Sequence, residues 1–176
     1  MTSIAHDLRR TALATAALAL GALALAAPAA ADHGGKHLNN VNKQGVLVDG
    51  YDVVAYFTDG KPVAGDARFA SAHDGATYWF ASAEHKALFD ADPGKYAPAF
   101  GGFCAYAVSR KGLRPIDPAV FHFVGGRLFL QHTKKAFDLF EKDEAGNTRK
   151  ADKNWPKLVE KKADRFQPGQ FDQPVG

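Results

Sequence analysis

Two residue types in this chain could do metal or redox chemistry, and both are scarce enough to follow one at a time. Cys104 is the single cysteine among 176 residues and stands in Gly101-Gly102-Phe103-Cys104-Ala105-Tyr106. A thiolate there would suit a soft ion such as Cu(I), or would serve as a redox thiol if its pKa were low and its sulfur accessible. The alternative is a small buried hydrophobe, which free cysteine often is. Among the histidines, His85 follows Ser82-Ala83-Glu84 and falls in the first turn of a candidate helix. It could offer a neutral imidazole to a metal; the alternative is a helix-surface histidine. His122 lies between Phe121 and Phe123, so in a strand it faces away from both. His73 precedes the pair Asp74-Gly75, and His132 sits where a strand gives way to a helix. One imidazole does not make a site, and any Cys/His centre depends on the fold bringing these residues together. A last set lies near the amino terminus, in Asp32-His33-Gly34. With a free amine at Asp32, an amine, a backbone amide and the His33 imidazole would suit tetragonal Cu(II), whereas the alternative is a solvated tail.

Other chemistries have no foothold. The chain has no G-x-S-x-G, no H-E-x-x-H, no phosphate loop and no dinucleotide fingerprint, and Glu84 beside His85 is an adjacent pair rather than an acid/base constellation. The aromatic residues Tyr51, Tyr56, Tyr78, Trp79, Tyr106 and Trp155 could line a ligand pocket, but at strand and helix spacing they also suit a core. An enzyme is therefore not the leading expectation.

The compartment follows from the first residues. Arg9-Arg10 precedes an uncharged Ala/Leu run over 11–27, closed by Pro28-Ala29-Ala30-Ala31. That is a charged, an apolar and a small-residue cleavage region, which predicts a signal peptide over 1–31, a mature start at Asp32, and a periplasmic or secreted protein. Without Arg9, Arg10 and Asp7 the formal charge falls from +3 to +2, which argues against a nucleic-acid partner. No later segment is apolar enough to span a membrane. With one cysteine no internal disulfide can form, so stability must come from a core, for which thirteen Phe, five Tyr and two Trp are available.

The elements that would position these groups are legible in part. Residues 32–44 are polar and aperiodic and read as a flexible lead-in, 45–163 as one domain, and 164–176 as a disordered tail. Two runs around Asp74-Gly75, Arg68 to His73 and Ala76 to Phe80, predict a hairpin with a type I′ turn. Ser82 can cap a helix from Ala83 to Ala91 with Ala87, Leu88 and Ala91 as its buried face, and Asp92-Pro93 opens a short turn or helix through Tyr96. The glycines at 101 and 102 would permit close backbone approach. A second hairpin runs Val120 to Val124, Gly125-Gly126, Arg127 to Gln131, and Thr133 can cap a helix from Lys134 to Lys142 with Ala136, Phe137 and Phe140 as its stripe. Trp155-Pro156 should interrupt a last charged helix from about Thr148 to Ala163. No internal repeat strong enough to suggest duplication is visible. The predicted class is α+β: a small antiparallel sheet built from two hairpins with helices packed on it.

The stretch from Ala72 through His73-Asp74-Gly75, Tyr78-Trp79-Phe80, Ser82 and Asp92-Pro93-Gly94-Lys95-Tyr96 resembles a YHS domain. Gly50 to Phe57, Gly101 to Tyr106 and Asn154-Trp155-Pro156-Lys157-Leu158 resemble exported bacterial YHS domain-containing proteins, some of them selenoproteins. The resemblance implies a heavy-metal-binding module of the kind found beside copper transporters. Two cysteine positions of that pattern are Ala81 and His85 here, and the pair before the first strand is missing, so a four-thiolate centre is impossible. With the predicted export, the resemblance implies a periplasmic, non-catalytic metal-binding or metal-handling module, copper or another soft or borderline ion first, with Cys104 and His85 as ligands; His33 is a further candidate through its place beside the amine predicted at Asp32. The rivals are a metal-free module binding a small molecule or a periplasmic protein, and a thiol redox protein using Cys104.

Overall fold

The computed structural model describes residues 35–171. The predicted signal peptide, Asp32 and His33 lie outside the described residues. Among the described residues six α-helices and four strands, besides three short 3-10 turns, follow in the order α1 (Ala55–Thr58), β1 (Asp66–His73), β2 (Ala76–Phe80), α2 (Ala83–Ala91), α3 (Pro93–Tyr96), α4 (Ala105–Ser109), β3 (Asp117–Val124), β4 (Arg127–Gln131), α5 (Lys134–Glu141) and α6 (Glu144–Lys162). The fold is α+β, and both predicted hairpins form. They are two separate two-stranded antiparallel sheets, β1-β2 and β3-β4, rather than strands of one sheet.

Local chemistry accounts for the hairpin–helix units. Asp74 and Gly75 both take positive φ, 48° and 76°, as a type I′ turn requires, and Gly125 and Gly126 do the same at 59° and 78°. The Ser82 hydroxyl accepts from the His85 N–H at 3.2 Å and the Thr133 hydroxyl from the Ala136 N–H at 3.2 Å, so each helix starts on a side-chain cap. The two units superpose in sequence at a constant shift of 51 residues: Asp66 and Asp117 open the first strands, Phe80 and Gln131 close the second, and Ser82 and Thr133 cap the helices. Both ladders carry the same irregularity, between Asp66 and Ala70 in one and Asp117 and Phe121 in the other. The same shift relates Leu88-Phe89 to Leu139-Phe140, and the cap Asp92 to the cap Asp143. The chain therefore contains an internal structural repeat that sequence inspection did not detect, because what the copies share is mainly turn, cap and core positions.

Packing joins the units along β4. Leu128, Phe129, Leu130 and Gln131 are all fully buried. Leu128 and Leu130 face a core with Val53, Tyr56, Tyr78, Phe80 and Phe89, whereas Phe129 faces a second core with Phe100, Phe103, Val108, Phe140 and Leu158. A strand buried on both faces thus separates two cores. On α2 the buried residue is Phe89, with His85 one turn earlier half-buried, while Ala87, Leu88 and Ala91 are exposed. The predicted face was one position off, because the large ring of Phe89 outweighs three small or marginal apolar residues.

The last helix is also different from expectation: α6 runs unbroken through Pro156. Pro156 is exposed, so the carbonyl one turn earlier can turn to water, and the buried stripe Asn147, Ala151, Asn154 and Leu158 keeps the helix in place. The two asparagines anchor it further. Asn147 Nδ2 donates to the Phe140 carbonyl at 3.0 Å, at the end of α5, and Asn154 Nδ2 donates to the Val108 and Ser109 carbonyls at 3.1 Å, at the end of α4.

The flanks are docked, not free. Leu38 is buried in the second core, and the Asn40 N–H donates to the Gly101 carbonyl at 2.8 Å. From the other end Phe166 and Phe171 pack edge-on to Phe103, and the Gly169 N–H donates to the Val41 carbonyl at 2.8 Å. The expected lead-in and tail, as far as they are described, pack because a few apolar residues suffice to order a polar segment. Gly101 is where this docking depends on a missing side chain: φ is +56° and a Cβ would overlap the Leu38 carbonyl oxygen. Gly101→Ala should therefore lower unfolding stability by about 2 kcal/mol or more in urea titrations, with Gly126→Ala, which meets no neighbouring atom, costing less.

Candidate functional site

The most polar buried position is Asp52, whose side chain is 0% exposed. Its partners Ala81 and His85 are remote in sequence, so little in its neighbourhood marks it. It sits two residues before the turn into α1, where an aspartate can accept from the backbone ahead of it. Its Oδ1 accepts from the Val54 N–H at 2.8 Å and the Ala55 N–H at 3.3 Å; its Oδ2 accepts from the Ala81 N–H at 2.8 Å and the His85 ring at 2.7 Å through Nδ1. The carboxylate therefore clamps the start of α1 to the β2–α2 junction. Every contact it makes is with a donor, which satisfies a buried carboxylate.

That arrangement fixes the state of His85. Nδ1 must carry the hydrogen it donates to Asp52, so in the neutral ring Nε2 keeps its lone pair. The ring is held between α1 and α2 with its side chain 18% exposed. Nε2 lies 3.3 Å from Thr58 Oγ1. The same hydroxyl is 2.8 Å from Asp59 Oδ1 and 3.2 Å from the Val54 carbonyl. One hydroxyl hydrogen thus has three acceptors around it, and Thr58 and Asp59 are exposed. The site is a short polar chain from a buried carboxylate through an oriented imidazole to a surface hydroxyl and carboxylate, with more acceptors than hydrogens at its outer end.

Cys104 has a different setting. It is 1% exposed and lies in the first core. Its thiol donates to Gln131 Oε1 at 3.3 Å, and that oxygen also accepts the Tyr106 N–H at 3.1 Å. Burial pushes the thiol pKa up, against the smaller opposing effect of nearby backbone N–H groups. These are the surroundings of a structural thiol rather than of an accessible, low-pKa one. Cys104 and His85 have no hydrogen-bond partner in common. Among the described residues no three His, Cys, Asp or Glu side chains gather as a metal centre would require.

The remaining histidines are scattered. His73 Nε2 lies 3.4 Å from Asp74 Oδ2 at the rim of the first hairpin, and its ring meets Phe89 edge-on. His132 sits at the β4–α5 junction as expected. His122 faces away from Phe121 and Phe123 into an aromatic box of Phe129, Phe137 and Phe140, with ring centroids 5.0–5.6 Å away. Neither of its ring nitrogens has a hydrogen-bond partner.

Residues 54–100 match the family model of the YHS domain. The chain contains a YHS domain. Comparison with curated proteins and with solved structures gave no match. The YHS domain spans α1 through α3 and includes Thr58, Asp59 and His85, while Asp52 lies just before it and Cys104 just after. No helix among the described residues is long and apolar enough to cross a membrane.

Two measurements check these assignments. Burial depresses the His122 pKa below its ordinary 6.5, with Glu141 opposing weakly. The unfolded chain then binds a proton that the folded one refuses, so this contribution is intact above about pH 6.5 and is lost as pH falls below it. The melting temperature should drop by several degrees between about pH 7 and 5, and His122→Leu, which keeps an apolar filling for the box, should reduce that drop. Cys104 should react with a thiol reagent at least about a hundredfold more slowly in the native protein than in urea, because access requires opening of the core.

Proposed function

We propose that this protein is an exported, non-catalytic metal-handling module whose working group is His85, held by Asp52. The observation that carries the reading is the 2.7 Å contact between Asp52 Oδ2 and His85 Nδ1. A carboxylate behind an imidazole fixes its tautomer and aims Nε2, as carboxylates commonly do behind metal-bound histidines. The outer end fits the same purpose: Thr58 Oγ1 has three acceptors and one hydrogen, so a cation beside Nε2 and the Asp59 carboxylate would relieve a surplus of lone pairs. Imidazole and carboxylate oxygen favour a borderline ion, with copper(II) ahead of zinc.

Such a site is open. His85 and Asp59 would occupy two positions, leaving the others to water or to a partner's ligands, which suits carriage and transfer better than permanent storage. The leader-like residues 9–31 support work outside the cytoplasm. On this reading Cys104 packs the core and the thiol chemistry is not used.

Titration of the tag-free protein, beginning at Asp32, with copper(II) and then zinc against a competing chelator tests the proposal. One equivalent is expected, retained in Cys104→Ser and in a form lacking residues 32–37, lost in His85→Ala, and weakened about 10–100-fold in Asp52→Asn. Circular dichroism of each variant confirms folding. Undiminished binding by folded His85→Ala, or no binding by the wild type, would sink the reading and turn attention to a metal-free binding module.

A further inference from the structure

Away from His85, charge is distributed unevenly around α6. Two of its three carboxylates are paired away from the lysines: Asp152 with Arg127 at 3.0 Å, and Glu160, together with Asp164 just beyond the helix, with Lys36, at 3.4 and 2.9 Å; the third, Glu144, lies in the first turn. Its lysines are on another side. Lys150, Lys153, Lys157, Lys161 and Lys162, together with Lys111 from the α4–β3 connection, line a groove of about 660 Å³ whose remaining lining is Ser109, Asn154 and Leu158. No carboxylate lines it. Lys150 reaches Asp143 at 3.5 Å; the other five make no ion pair among the described residues, and all six are exposed.

The placement follows from helical spacing. Positions 150, 153, 157 and 161 form one stripe, directly beside the buried stripe of Asn147, Ala151, Asn154 and Leu158. Lysines so placed repel one another at a cost to the helix, and beyond Lys150, which has Asp143, no ion pair offsets it along the stripe. A solvated helix face made only for solubility would mix signs, as this helix does on its opposite side. The groove ends at a second cavity of about 560 Å³ that shares Lys161 and Lys162 and adds Leu113, Phe166, Phe171, Arg165 and Gln170.

We propose that this groove is a docking surface for an acidic segment of a partner protein, with an apolar side chain of that segment entering the cavity beside Phe166 and Phe171. Charge complementarity selects an anion, and the number of lysines selects one with several charges. From Lys150 to Lys161 the helix rises about 16 Å, the length of about five extended residues. A concave groove accepts an extended strand of carboxylates more readily than it accepts the flat face of a bilayer. A modest total charge of +3 disfavours unselective binding to nucleic acid. The apolar side chains Leu113, Phe166 and Phe171 at one end give the segment a direction. The proposal is independent of the metal-handling reading, since none of these lysines touches Asp52, His85 or Thr58.

The test uses the tag-free protein, beginning at Asp32, and a fluorescein-labelled octapeptide of glutamates ending in two phenylalanines, read by anisotropy at about 50 and 150 mM salt. Binding that weakens with salt is expected. The double substitution Lys153→Glu/Lys157→Glu should weaken it at least about tenfold, and Lys153→Gln/Lys157→Gln by less. Lys61→Glu/Lys95→Glu, away from the groove, should leave it unchanged. Phe171→Ala should discriminate against the peptide's phenylalanine end, narrowing the gap to an all-glutamate peptide. Copper titration of the groove variants should match the wild type. Equal peptide binding by folded Lys153→Glu/Lys157→Glu, absence of binding at the lower salt, or preferential binding of phosphatidylglycerol vesicles or of a DNA duplex would each overturn the proposal.

Discussion

The buried carboxylate of Asp52 is the constraint on which the first half of the molecule depends. A charge taken from water must be met by donors or it would destabilise the fold by several kcal/mol. Here the donors come from three places: the turn into α1, the first residue after β2, and the first turn of α2. Satisfying one side chain therefore fixes the relation of hairpin to helix. The same requirement orients His85, so the geometry of the surface imidazole is a consequence of an interior need. Fold and site are not separable in this unit, and a substitution at Asp52 acts on both.

The second unit solves the same packing problem without a charge. At the positions equivalent to Phe80 and His85 it has Gln131 and Ala136. Gln131 is fully buried, and its amide oxygen holds the Tyr106 N–H and the Cys104 thiol, tying the start of α4 to the end of β4. A neutral amide has a lower desolvation cost than a carboxylate, and an alanine at the helix position leaves no group to orient. Asn147 and Asn154 continue the pattern by closing the ends of α5 and α4. Neutral side chains thus join this half, as befits a scaffold packed on both faces of β4.

What was legible in the sequence was local. The turn dipeptides at 74–75 and 125–126 and the caps Ser82, Thr133 and Asp92 act within a few residues, so both hairpins and their helices could be read directly, and the YHS resemblance rested on them. Asp52 was missed because its partners Ala81 and His85 lie some thirty residues on, and only the turn in front of it leaves a local trace. The flanking segments around Leu38 and Phe166 were read as free because their composition is polar, yet their order depends on a few residues buried in a distant core. Pro156 was read as a breaker by a rule about backbone geometry, which tertiary anchoring through Asn154 and Leu158 outweighs. The duplication escaped notice because turns, caps and core positions can be preserved while most side chains change.

The repeat also bears on where function can reside. Two units with the same ladder irregularity and the same capped helix present equivalent positions three residues after the cap, yet only the first has an imidazole at that position, His85 against Ala136. If the helix start were used merely to complete the core, the two copies would face the same demand and an apolar residue would serve in both. The second copy has Ala136 at that position, partly buried against the first core. The first copy instead keeps a histidine that requires a fully buried carboxylate behind it, the more expensive arrangement in desolvation terms. Asp52 has its own structural role in joining α1 to the β2–α2 junction, but the helix position does not by itself demand an imidazole, and a residue that breaks a local economy in this way is where function is expected to lie.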